Sequence, residues 1–195
     1  MPGVTVNVLN QGYVGYTALG ISRQIHGIEK QVTPFLAAHP GGSTVFSIML
    51  GTNDSANSGP AGCPTAAADY RANLKAVVDE LLTQYPSAKV FLNCPIFYSP
   101  NTVKKGSRLW RFIRRGSLKG LFPGNQRIGD RLRRVASESG LCRRHEAYDY
   151  FAKNYLTDIA PEHGLQGTFY LHPNAKGAAS LGKFWADAIA PNLGR

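Results

Sequence analysis

No apolar run in this chain approaches the roughly 20 residues that a membrane-crossing helix needs, so no segment reads as one. Cysteine is scarce. Cys63, Cys94 and Cys142 include no Cys-x-x-Cys pair, which argues against a zinc knuckle or a disulfide framework and for buried thiols, with one bridge among the three left open. Met1-Pro2-Gly3-Val4 shows neither the basic nor the apolar region of a signal peptide, and the compartment is left open. No internal repeat and no low-complexity linker interrupts the chain. Acidic residues are few, 12 against 22 lysines and arginines. What is present is a globular composition, 43% hydrophobic and 17% charged over 195 residues, which fits one domain (1–195) with a core of ordinary size.

The positive charge is concentrated. Residues 104–144 hold thirteen basic side chains against Asp130 and Glu138, a net of +11, so the remainder is close to neutral. Within it, Trp110, Phe112, Ile113, Leu118, Leu121 and Phe122 interleave with Arg108, Arg111, Arg114, Arg115 and Lys119. Residues 99–124 read as a basic insertion whose aromatics pack on the fold while its charges stay solvated. The same stretch suits an anionic membrane surface, or a lid that steers anionic substrates. No nucleic-acid-binding motif accompanies the charge.

Elsewhere, strands alternate with helices, which predicts a parallel sheet covered on both faces. Val4 to Leu9 reads as a strand running into Asn10-Gln11-Gly12. A helix is expected over Gly20 to Leu36, broken by Pro40-Gly41-Gly42. Thr44 to Leu50 reads as a strand buried on both faces. Leu74, Val77, Val78, Leu81 and Leu82 form a helical stripe that ends at Pro86. Lys89 to Leu92 is a short strand. Asn125 to Ser139 reads as a helix with a basic face, and Ala147 to Phe151 as a last strand. Leu181, Phe184, Trp185, Ala188 and Ile189 mark a C-terminal helix with Asn174 placed to cap it.

Three turns carry the chemistry. Gly51-Thr52-Asn53-Asp54 follows a strand, where open α/β sheets bind their ligands, and the Asn53 amide can donate to a developing oxyanion. Asn10-Gln11-Gly12-Tyr13-Val14-Gly15 also follows a predicted strand and can present a backbone N–H to an anion. It is not a dinucleotide fingerprint, because Asn10 stands where that motif needs its first glycine. His172, before Pro173 and Asn174 at a helix start, can act as a general base if an acceptor holds its other nitrogen. Taken singly, each reads as an ordinary turn or surface residue. His26, His39, His145 and His163 have no comparable setting.

The ordered trio, Asn-x-Gly-x-x-Gly, then Gly-x-Asn-Asp, then His-Pro-Asn-x-x-Gly, resembles the SGNH hydrolases, the GDSL-like lipase and esterase superfamily, from about Val4 to Ile189. The resemblance implies a three-layer flavodoxin-like α/β fold, with a parallel sheet and helices on both faces, and a serine ester hydrolase that needs no metal. It implies that the Gly12 N–H and the Asn53 amide form the oxyanion hole and that His172 activates serine.

Two positions depart from the pattern. The family's Gly-Asp-Ser block occurs nowhere in the chain, and nine residues before Asn10 cannot hold its strand, turn and helix. The usual first strand is therefore expected to be missing. A reading frame that begins upstream is the preferred account, with a strand-Gly-Asp-Ser expected in frame within about 40 codons. A strand-donating partner, a second copy included, and a non-catalytic relic are the others. Phe169 stands where the family has the Asp that orients the imidazole; Asp158 and Glu162 are the nearby candidates, and spacing favours neither. Ser55 is a conceivable substitute nucleophile, though a turn or capping role suits it better.

The expectation is a carboxylic ester hydrolase acting on a carbohydrate O-acetyl group or a small lipid ester, with His172, Asn53 and Gly12 in the site. The rival is an inactive module of the same fold that binds an anionic polymer or surface through residues 104–144.

Overall fold

Two strands, β1 (Val45–Ile48) and β2 (Lys89–Leu92), run parallel in the computed structural model, which describes residues 5–55, 65–103, 146–164 and 167–192. Their register is Val45 opposite Lys89 through Ile48 opposite Leu92. A parallel pair needs a crossover connection. Here the crossover contains a short helix, α2 (Thr52–Ser55), and a long one, α3 (Ala67–Gln84). Helix α1 (Ala18–Ala37) precedes β1; the Thr17 hydroxyl caps it by accepting the Gly20 N–H at 3.1 Å.

Side-chain alternation in β1 separates two cores. Phe46, Ile48 and Leu50 pack with Ile21, Ile25, Ile28 and Val32 of α1 and with Val77 and Leu81 of α3. Met49 joins the other cluster, built on Ile96, Phe151, Ile159 and Leu181. That cluster belongs to a second unit. There β3 (Ser99–Val103), β4 (Ile159–Gly164) and β5 (Gly167–Pro173) form an antiparallel sheet in the order β3-β5-β4. Helices α4 (Glu146–Asp158) and α5 (Ala175–Ile189) pack together against it, and a 3-10 turn (Ala190–Asn192) follows α5.

The architecture is mixed α/β, and among the described residues the parallel part has two strands. Val4–Leu9 is not the expected strand: residues 5–10 are irregular, and Val6 and Val8 are 70% and 79% exposed. An extended segment becomes a strand only when a neighbour accepts its ladder bonds, and among the described residues no strand pairs with this one. For the same reason β1 is half-buried along its length, with Ser47 exposed, rather than covered on both faces. Residues 147–151 are helical. Ala147, Tyr150, Phe151 and Tyr155 share one stripe at helical spacing on the second core, and Phe151 is fully buried. The start of the expected insertion, Ser99–Val103, is strand β3 paired with β5. The rest of that insertion, the net +11 segment and the predicted helix Asn125–Ser139 lie outside the described residues, as do Cys63 and Cys142.

The junction between α4, β5 and α5 is tight. Asn174 caps α5 by accepting the Gly177 N–H at 3.0 Å on Oδ1. Its own N–H and Nδ2 donate to the carbonyls of Asp158 and Thr157 at 3.0 and 2.8 Å. A Cβ on residue 177 would lie 1.9 Å from the Asp158 carbonyl oxygen and 2.9 Å from its carbon. Both atoms are backbone, so no rotamer change relieves the clash. Gly177→Ala is therefore expected to cost about 3 kcal/mol or more, read as a drop in the urea midpoint; the neighbouring exposed Ala178→Gly should cost about 1 kcal/mol.

Candidate active site

The Asn10 turn, the Gly-Thr-Asn-Asp loop and the His172 strand end occupy three different environments. Gly51 closes β1 with φ +124°, a backbone conformation that only glycine adopts without strain. The chain then turns into α2, and adjacent residues bind it to the start of α1. Asn53 Nδ2 donates to the Tyr16 carbonyl at 2.9 Å. The buried Asp54 carboxylate accepts the Ala18 N–H at 3.1 and 3.2 Å. Burial pushes the Asp54 carboxyl above its ordinary pKa, and the Ala18 N–H opposes that shift. The Asn53 amide has two hydrogens and one is committed, so its direction is set while one donor remains.

Gly12 donates its N–H to Asn10 Oδ1 at 2.9 Å, closing an Asx-turn. Beside it, the Tyr13 hydroxyl donates to Gln11 Oε1 at 2.7 Å, and Gln11 Nε2 donates to Gln31 Oε1 of α1 at 3.1 Å. These bonds hold the Asn10 turn against α1.

His172 lies in the last turn of ladder before α5, where β4 and β5 are antiparallel. Its Nδ1 is 2.8 Å from Glu162 Oε1, and its backbone N–H donates to the same oxygen at 3.2 Å. In the ladder Glu162 is the direct partner of Phe169. The carboxylate therefore comes from the strand opposite the position where the family pattern has its acid. The pair is open to solvent, with the His172 side chain 69% exposed and Glu162 30% exposed. With Nδ1–H directed at the carboxylate, Nε2 is left as the basic nitrogen.

Asp158, the other candidate acid, is occupied elsewhere. It is fully buried and paired with Lys176 Nζ at 2.7 Å. The Thr157 and Tyr150 hydroxyls donate to it at 2.6 and 2.7 Å, and Ser180 Oγ lies at 3.4 Å. Lys176 foremost, then Thr157, holds its pKa down to about 2. Ser55 Oγ donates to the Thr52 carbonyl at 2.8 Å within α2, a local turn bond. Among the described residues no serine hydroxyl is hydrogen-bonded to His172, and no hydrogen bond joins His172 to Asn53 or Gly12.

The three turns are connected through packing. Met49, two residues before Gly51, shares an apolar cluster with Tyr170, two residues before His172. Leu50, on the opposite face, contacts the cores that include α1.

In fold the chain is similar to LAE5, a crystal structure described as an alpha/beta hydrolase enzyme from the metagenome of Lake Arreo, Spain. The TM-score is 0.51 at 20% identity, over 93% of this chain and 72% of that one. A model of the GDSL-like lipase/acylhydrolase family matches residues 2–179, and the chain belongs to that family. No curated protein matches it.

The Asp158 carboxylate gives a pH signature separate from catalysis. Its folded pKa, about 2, lies below its ordinary value of 3.8. The stability it contributes is thus complete above about pH 4 and disappears as pH falls through about 2, because the unfolded chain takes up the proton first. Asp158→Asn should flatten the fall in urea stability between pH 5 and pH 2 relative to the wild type.

Proposed function

We propose that the chain hydrolyses a carboxylic ester, with His172 as general base, Glu162 as its orienting acid, and Asn53 and Gly12 as oxyanion donors. Membership of an acylhydrolase family supports the reaction class. The observation that carries the assignment of roles is the 2.8 Å contact between His172 Nδ1 and Glu162 Oε1. It fills the vacancy at Phe169 and holds the imidazole with Nε2 available.

In this reading Nε2 accepts the proton of a serine hydroxyl as Oγ attacks the ester carbonyl. The negative charge that develops on the carbonyl oxygen is met by the uncommitted Asn53 amide hydrogen and the Gly12 N–H. The imidazolium, stabilised by Glu162, then gives its proton to the departing alcohol, and water repeats the sequence on the acyl-enzyme. Gly12 has to exchange Asn10 Oδ1 for the oxyanion, so substrate binding opens the Asx-turn. The substrate is a small ester of a carbohydrate O-acetyl or lipid kind. The nucleophile is the one element that no described residue supplies.

That vacancy favours a second reading: an inactive module of the same fold that binds an anionic polymer or membrane surface through residues 104–144, thirteen basic side chains against two acidic. Labelling with a fluorophosphonate separates the two, since hydrolysis requires a labelled serine and the binding module gives none. On p-nitrophenyl acetate, His172→Ala should lower kcat/KM by about 10²- to 10⁴-fold. Glu162→Gln should lower it by about 10²-fold or more through kcat, with KM little changed. An active chain whose rate is indifferent to His172→Ala would overturn the site. Co-sedimentation that depends on anionic lipid, from a chain that neither labels nor hydrolyses, would establish the second reading.

A further inference from the structure

Away from these turns, α1 and α3 bring three metal-ligating side chains to one edge of their interface. His26 and Glu29 stand one helical turn apart on α1, and Glu80 projects from α3. One ring nitrogen and two carboxylate oxygens all lie within 4.8 Å of one another. His26 Nδ1 is 3.0 Å from Glu29 Oε2, and Gln84 Nε2 donates to Glu80 Oε1 at 3.2 Å. The underlying helices are fixed, because Ile25 and Ile28 beside the first pair, and Val77 and Leu81 beside Glu80, belong to the first core.

A second observation concerns Glu29 alone. Its Oε1 is shut off from solvent and is the one buried side-chain oxygen or nitrogen among the described residues without a hydrogen-bond partner. A carboxylate oxygen taken out of water with no donor is costly, and a helix-surface ion pair with His26 satisfies only the other oxygen. A cation shared with His26 and Glu80 would satisfy it.

The geometry points to a divalent cation site of the zinc class, held by His26, Glu29 and Glu80 and clamping α1 to α3. One imidazole and two carboxylates, with water in the remaining position, form a donor set that zinc accepts. A cation about 2.0–2.2 Å from each ligand keeps any two of them within roughly twice that distance. The three ligand atoms lie within 4.8 Å of one another, and His26, 76% exposed, is free to adjust by rotating. The site shares no residue with the proposed ester-hydrolysing machinery, and its test does not depend on activity.

Zinc chloride alone is the probe. The full chain, stripped with a chelator, is titrated by calorimetry and its unfolding temperature followed with and without zinc. His172→Ala serves as the background, so that the imidazole of the other site does not contribute. The expectation is one zinc equivalent that His26→Ala removes and that Glu80→Gln weakens by about tenfold or more. The zinc-induced rise in unfolding temperature should be lost in His26→Ala and reduced in Glu80→Gln. His26 is solvent-facing and Glu80 lies at the interface edge, so both variants fold. Equal stoichiometry and affinity in the background protein and both variants, or no zinc binding at all, would overturn the site.

Discussion

The first turn of α5 rests directly on the backbone of Asp158, and the position of everything near His172 follows from that contact. Because residue 177 has no Cβ, the helix approaches closely enough for Asn174 to bond two carbonyls at the end of α4 while capping α5. Pro173 and His172 must therefore leave the β4–β5 ladder in one direction. Below the contact, the Asp158 carboxylate joins α4 to α5 through Tyr150, Lys176 and Ser180. A buried charge is expensive unless its remaining lone pairs are filled, and here hydroxyl groups fill them. That network is why Asp158 is structural and leaves the imidazole to Glu162.

The Asn53 half of the proposed site is held by the start of α1. Asn53 and Asp54 are neighbours in sequence, yet one donates to the residue before the Thr17 cap and the other accepts from the first residue after it. The loop is thereby pinned to the start of α1 by bonds of opposite polarity. Such fixing matters for an oxyanion donor, whose value depends on being oriented before charge develops. The Gly12 N–H, by contrast, is satisfied by a local side chain, Asn10 Oδ1.

Much of the first core was legible in the sequence. The stripes of α1 and α3, the apolar run of β1, Pro86 and the Asn174 cap each state a local rule, and local rules survive folding here. The strand expected at Val4–Leu9 failed because pairing is a property of two segments and the sequence of one cannot supply the other. The helix at Ala147–Phe151 was readable in the spacing of Ala147, Tyr150, Phe151 and Tyr155, but a short apolar run satisfies strand and helix alike until the next turn is counted. Glu162 was not readable as the partner of His172. Their separation of ten residues becomes a contact only through the antiparallel register of β4 and β5, which no spacing rule in a single sequence encodes.

The antiparallel β4–β5 pairing also bears on how the molecule assembles. It joins residues close in sequence, Gly164 opposite Gly167, whereas β1 reaches β2 only across the whole of α3. Closing a short loop sacrifices little chain entropy, and local contacts form ahead of distant ones. The hairpin that brings Glu162 to His172 thus pairs residues within one short stretch of chain. The His172–Glu162 contact is encoded locally, whereas the Gly51–Asp54 loop takes its place only when distant parallel strands meet.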